Sequence, residues 1–282
     1  MRRVDSIAEL RTMLRDRRHG GARIALVPTM GALHDGHLSL VDVARANAEI
    51  VVMSVFVNPL QFGPSEDFDR YPRDLDADAA KAERRGVDVL FAPTRDAMYP
   101  VERAVEVRPL SLGDAWEGAI RPGHFTGVLT VVCKLLNIVQ PDVAVFGQKD
   151  IQQATLIRAM VRDLDLPVEI LVVPTVRDAD GLALSSRNAY LSPDERRRAL
   201  ALSRALSAVG AAFAGGERDA ARLQELGLAE VRSAGGIEIE YFALMDPVTL
   251  RPVDVAAPGT IAALAARVGA TRLIDNVILP ES

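Results

Sequence analysis

A chain of 282 residues, 49% hydrophobic and 25% charged, has the composition of a folded protein with a large core and excludes wholesale disorder. A formal net charge of −5 argues against a chain-wide basic footprint for nucleic acid or an anionic membrane, while leaving room for a small anion in a locally positive pocket. The lone cysteine, Cys133, allows no intrachain disulfide, no apolar run approaches the roughly 18–20 residues of a membrane span, and no apolar stretch follows the basic start, so the reading is a cytosolic protein.

In chain order, residues 24–27 are a short apolar run that ends at Pro28. Leu38, Val41, Ala44 and Ala48 then recur at helical spacing, and residues 50–57, apolar except for Ser54, predict a buried strand. Asp74 reads as the cap of a helix over residues 75–85, with Gly86 as its stop, and residues 87–92 predict another strand. Residues 127–139 are apolar on most sides and predict a buried helix ending before Pro141. A strand at 143–146, a helix at 151–163 and a strand at 168–173 follow. Such alternation predicts a parallel sheet with helices on both faces.

The pattern changes after about residue 176. Ser192, Pro193 and Glu195 form a capping box for a helix running to about Phe213, and a second helix runs to about Ser233. Ile237, Ile239, Tyr241 and Ala243 alternate with Glu238, Glu240 and Phe242, predicting a half-buried strand, and strand-like runs at 260–266 and 272–279 close the chain. This second part reads as a small α+β domain. The division expected is 1–175 and 176–282.

Motifs that would indicate a P-loop kinase, a GxGxxG dinucleotide site, a GxSxG serine hydrolase or a zincin are absent. The four histidines and one cysteine make no convincing zinc set, and no protein metal ligand is assigned. What is present is Pro28-Thr29-Met30-Gly31-Ala32-Leu33-His34-Asp35-Gly36-His37, after the first strand and opening the first helix. A helix N-terminus at the carboxyl end of a strand suits phosphate, with His34 and His37 as added donors and Gly31 and Gly36 permitting close backbone approach. The competing reading is two ordinary polar residues near a turn, or a fortuitous His-x-x-His metal pair.

Phe146-Gly147-Gln148-Lys149-Asp150 also follows a strand and opens a helix. Lys149 could meet a phosphate, Asp150 a ribose hydroxyl or the helix end, and Gln153 would face the same crevice one turn on. The bland alternative is a solvated loop. In Leu184-Ser185-Ser186-Arg187, two hydroxyls and a guanidinium make a plausible clamp for triphosphate charge, or else a domain-linking turn. Gln61, within Asn58-Pro59-Leu60-Gln61-Phe62-Gly63, could hold a small polar substrate. His124 reads equally as structural, and Asp74, Asp76 and Asp78 mostly as a helix-start charge pattern, with metal contact the minority reading. A phosphate site beside a basic-hydroxyl loop suggests attack on the α-phosphate of ATP.

These motifs, with Tyr71-Pro72-Arg73, Arg121-Pro122-Gly123-His124-Phe125 and residues 180–188, resemble the pantoate–β-alanine ligase family of the His-x-Gly-His nucleotidyltransferases over essentially the whole chain. The resemblance implies a Rossmann-like domain for ATP and pantoate, a smaller C-terminal lid domain and usually a homodimer, beside the cytoplasmic location without nucleic-acid or membrane partners that composition and charge suggest. It implies that (R)-pantoate attacks ATP to give a pantoyl adenylate and pyrophosphate. The β-alanine amine then displaces AMP to give pantothenate. Met30, Gly31, Ala32, Leu33, His34, Asp35, Gly36, His37, Gly147, Gln148, Lys149, Asp150, Val176, Leu184, Ser185, Ser186 and Arg187 match the family's ATP contacts. Within that group, His37, His34, Lys149, Ser185, Ser186 and Arg187 form the implied catalytic set. Gln61 and Gln153 match its pantoate-holding pair, with Gln61 also near β-alanine. Mg2+ is expected on phosphate oxygens. One departure stands out: some members carry a denser acidic run where this chain has Asp74-Leu75-Asp76-Ala77-Asp78. The rival expectations are another adenylyltransferase or a nucleotide-binding regulator without turnover.

Overall fold

Strands that are apolar at every position need cover on both faces, and the first part of the chain supplies it. The computed structural model describes residues 1–64 and 66–280. Among these, the strands β1 (Arg2–Val4), β2 (Ile24–Thr29), β3 (Ile50–Val55), β4 (Val89–Phe91), β5 (Val143–Gly147) and β6 (Glu169–Val173) form one sheet in the order β1-β4-β3-β2-β5-β6. Every pairing is parallel. The helices of this region are α1 (Ile7–His19), α2 (Asp35–Asn47), α3 (Leu75–Arg84), the short α4 (Arg95–Met98) and α5 (Glu117–Ile120), α6 (His124–Val139) and α7 (Ile151–Asp163). Successive strand residues point to opposite faces. Thus Ile24 and Leu26 join one core with residues of α1, α6 and α7, whereas Ala25 and Val27 join another with residues of α2 and α3.

The strand order reverses between β2 and β5, which makes that pair the topological switch point, where open α/β sheets bind ligands beyond the strands' carboxyl ends. Thr29 and Gly147 end the two strands that flank it.

Helices α8 (Pro193–Ala214) and α9 (Ala220–Ser233) and strands β7 (Ile237–Met245), β8 (Ile261–Val268) and β9 (Thr271–Ile278) build a separate core with an antiparallel sheet in the order β7-β8-β9. The α/β region followed by a smaller α+β region is therefore as the sequence predicts. The compact units divide as Met1–Gly147 with Gln153–Pro174, and Gln148–Gln152 with the residues from Thr175 onward.

The caps read from sequence are present: Asp74 accepts from the Ala77 N–H at 2.9 Å, and Ser192 and Glu195 form their reciprocal box. Some details differ from expectation. β2 runs on through Pro28 to Thr29, because its pairing with β5 covers only Ala25 and Leu26 and asks no N–H of the proline. Phe242, expected on the charged face of its strand, is buried, because the register shifts at Glu240 and turns the following side chains over.

Candidate active site

The segment after β2 is held by a carboxylate that sequence reading assigned to a helix-start charge pattern. Asp78, on α3 and 2% exposed, accepts from the Ala32 N–H at 2.8 Å and the Leu33 N–H at 2.7 Å. Two successive N–H groups converging on one anion form a nest, and Asp78 fills it from inside the protein. Gly31 sits at φ +88°, and a Cβ there would lie 2.8 Å from Asp78 Oδ2, so the glycine serves this clamp. Lys81 Nζ donates to the Leu33 carbonyl at 2.7 Å. The Gly31 N–H donates to Thr29 Oγ1 at 3.3 Å, and the His34 N–H to His37 Nδ1 at a long 3.4 Å. Backbone donors from Gly31 to His34 are thus engaged internally. The first turn of α2 adds the Asp35 and Gly36 N–H groups, which helix geometry leaves without intrahelical partners. The rings of His34 and His37 lie 4.0 Å apart between centroids. Acceptance at Nδ1 leaves the proton of a neutral His37 ring on Nε2, making that nitrogen a donor.

The turn after β3 is fixed just as closely. Asn58, 1% exposed, donates to Gln61 Oε1 at 3.0 Å and to the Gly127 carbonyl at 3.1 Å. Its own oxygen accepts from the Tyr99 hydroxyl at 2.9 Å and the Leu60 N–H at 3.3 Å. Burial pushes the Tyr99 phenol up to about 12, so its O–H remains a donor. With Gln61 Oε1 held, its Nε2 lies 3.2 Å from Met30 Sδ, which brings the Gln61 motif against the histidine segment. Gly127 is required where it stands, since a Cβ would lie 2.2 Å from the Leu60 carbonyl oxygen.

His124 supports this turn and does no visible chemistry. Its Nδ1 lies 2.8 Å from the Gln61 carbonyl, and its Nε2 accepts from Arg121, which forms a two-pronged ion pair with Glu66 at 2.8 and 2.6 Å. Burial first, then the Arg121 charge, lower the His124 pKa to about 4. An unfolded chain takes up that proton near pH 6.5, so the stability tied to the neutral ring is complete above 6.5 and is lost as pH falls toward 4. The loss reaches about 3 kcal/mol at pH 4. Urea unfolding across this range should show the slope in the native protein and a shallower one in His124→Gln; equal slopes would refute the assignment.

Gln153 lies half-buried in the first turn of α7. Cys133 is half-buried, with burial pushing its thiol up, which fits an inert packing role.

The remaining sequence-identified residues lie in the second unit. Lys149 Nζ is 3.9 Å from Asp150 Oδ2. A hairpin-like turn joins Val176 and Leu184: the Leu184 N–H donates to the Val176 carbonyl at 3.0 Å, and the Asp178 N–H to the Leu182 carbonyl at 2.8 Å. Arg177 at its base pairs with buried Asp275 on β9, at 2.6 and 3.0 Å. Ser185 caps the 3-10 turn Ser186–Tyr190, its hydroxyl accepting from the Arg187 N–H at 3.3 Å. Its own O–H stays available as a donor. Asn188 donates to the Ala183 carbonyl at 3.0 Å, fastening the Ser185–Arg187 stretch to the hairpin.

Sequence reading missed Asp78, the tie of Tyr99 to Asn58, and the residues of β9. The available signal for Asp78 was its spacing, four residues after the cap Asp74 and on the same helix face as Asp74.

The profile of the family described as pantoate-beta-alanine ligase matches residues 2–278. Pantothenate synthetase 1 of Bradyrhizobium diazoefficiens is 52% identical over 284 residues, covering 100% of this chain and 99% of its own. Pantothenate synthetase from Thermus thermophilus superposes with a TM-score of 0.95 at 48% identity, over 100% of both chains. Pantoate-beta-alanine ligase from Francisella tularensis, solved in complex with β,γ-ATP and β-alanine, gives 0.83 at 34% identity over 100% of this chain and 99% of that one.

Proposed function

The chain belongs to the pantoate–β-alanine ligase family, and on that footing we propose how its residues perform the family's reaction. The enzyme is an ATP-dependent ligase that joins (R)-pantoate to β-alanine, giving pantothenate, AMP and pyrophosphate. The pantoate carboxylate attacks the α-phosphorus of ATP, the bond to the β-phosphate oxygen breaks, and pyrophosphate leaves. The β-alanine amine then attacks the acyl carbon of the adenylate and AMP departs with the bonding electron pair. Both steps need positioning and charge neutralisation more than covalent help.

One observation carries the assignment of residues: the His34 and His37 rings stand 4.0 Å apart at the start of α2, just beyond the switch-point end of β2. In this reading the His37 Nε2–H and the first N–H groups of α2 stabilise charge on the transferring phosphoryl group, and His34 supports that ring. In this reading Gln61, its Oε1 held by Asn58 and one amide N–H by Met30 Sδ, offers its second amide N–H to pantoate. Gln153 completes the pair, and Gln61 also lies close to β-alanine. Lys149, Ser185, Ser186 and Arg187 take the triphosphate charge, and Gly147, Val176 and Leu184 line the nucleotide with backbone.

Mg2+ accompanies ATP in this proposal. In this reading phosphate oxygens ligate it, and Asp78 takes no part because both its oxygens accept from backbone N–H groups. We further propose a homodimer, as the family resemblance implies, and a cytoplasmic location, as composition and charge suggest; among the described residues no helix is long and apolar enough to cross a membrane. Isotope exchange between pyrophosphate and ATP tests the first half-reaction, since adenylate formation runs backward on the enzyme.

A further inference from the structure

Lys149 has an anchor that the mechanism above leaves unused. Asn276, on β9 and 2% exposed, donates through Nδ2 to the carbonyl of Gln148 at 3.0 Å and of Lys149 at 2.9 Å. Its Oδ1 accepts from Gln148 Nε2 at 3.1 Å. The amide orientation is dictated, because the reverse would set an oxygen against two carbonyl oxygens. The strand beneath is itself fixed: Asp275 accepts from both terminal nitrogens of Arg177 and from the Asn276 N–H at 2.8 Å. A side chain buried this deeply, with three hydrogen bonds directed at one dipeptide, determines where the Lys149 side chain begins.

We propose that Asn276 is a positioning residue for Lys149, holding the Gln148–Lys149 backbone so that the ammonium meets the phosphate charge that develops as pyrophosphate leaves. The inference rests on the reading of Lys149 given above. A bond serving stability alone would leave kcat unaffected once folding is complete; a bond serving Lys149 acts on kcat and acts only while the lysine is present.

The test compares kcat, KM for ATP and thermal unfolding for the wild type, Asn276→Ala, Lys149→Ala and the double variant. Leu273→Ala, which removes a core side chain from the same strand, controls for lost stability. Asn276→Ala should lower kcat about 10- to 100-fold, with KM for ATP moving less than about threefold. In the Lys149→Ala background the same change should cost less than about twofold. Equal losses in both backgrounds, an unchanged kcat in Asn276→Ala, or an equal kcat loss in Leu273→Ala would overturn the proposal. If Lys149→Ala turns over normally, the reading of Lys149 fails and the proposal with it; if Lys149→Ala is impaired and Asn276→Ala is not, the proposal alone fails. Should the alanine variant not fold, Asn276→Asp keeps the size and the acceptor while losing both donors, and is judged by the same criteria.

Discussion

His37→Ala is expected to lower kcat by roughly two to three orders of magnitude while the protein stays folded. The side chain is half-buried at a helix start, and its removal leaves both cores untouched. On the proposed reading, what it removes is a donor to the charge that accumulates on the transferring phosphoryl group. Such a donor is worth far more in the transition state than in the ground state, so KM for ATP should move little. His37→Gln separates two roles. Its amide N–H approximates the position of Nε2–H but cannot take part in proton transfer. If His37 acts by donating a hydrogen bond, the glutamine variant should recover about tenfold or more over alanine. Equal inactivity of the two would point to proton transfer instead, and near-normal turnover in His37→Ala would remove the residue from the mechanism.

Asp78→Asn should be the second large effect, although both Asp78 oxygens are taken up by backbone N–H groups. The amide keeps one acceptor for the Ala32 or Leu33 N–H and sets an NH2 against the other, donor against donor. The cost is about 3 kcal/mol of stability, since two charge-assisted bonds are replaced by one neutral bond and one unsatisfied N–H. The larger consequence falls on catalysis. The Gly31–Leu33 turn carries His34 and His37 immediately after it, and a shift of about 1 Å in those rings is enough to cost about a hundredfold. The control is Asp76→Asn, because Asp76 is exposed and, among the described residues, pairs only with surface Arg3 at 2.8 Å. Kinetics and urea unfolding of the two variants should therefore diverge. A wild-type kcat in Asp78→Asn would show that the histidines keep their place without the clamp.

The contrast between Asp76 and Asp78 marks where sequence reading runs out. Both are acids in the first turn of α3, and both satisfy a helix dipole equally well on paper. Only tertiary structure puts Asp78 under the turn after β2, with partners 45 and 46 residues away. Asn276 is illegible for the same reason, its partners lying 127 and 128 positions off. Features set by neighbours along the chain were readable. Buried parallel strands such as β3 announce themselves by near-continuous apolar character, and caps such as Ser192 and Asp74 by residue type at the helix start. The place of the histidine motif after β2 and of the lysine motif after β5 was legible as well, because both follow apolar runs that end in a strand's carboxyl end. By contrast, α1 fully buries only Leu10 and Leu14, with Ile7 and Met13 partly buried beside them among mostly charged residues, so its periodicity carried little signal. The turnover of β7 at Glu240 was hidden too, because a bulge changes the period that the reading relies on.

The central claim is that ATP is attacked at its α-phosphorus by pantoate before β-alanine takes part. The measurement that tests it most directly is exchange of labelled pyrophosphate into ATP by the purified enzyme with magnesium present. The account predicts exchange that requires pantoate and proceeds without β-alanine, and that is nearly abolished in His37→Ala. Absence of exchange with pantoate, or exchange that appears only when β-alanine is added, would contradict it.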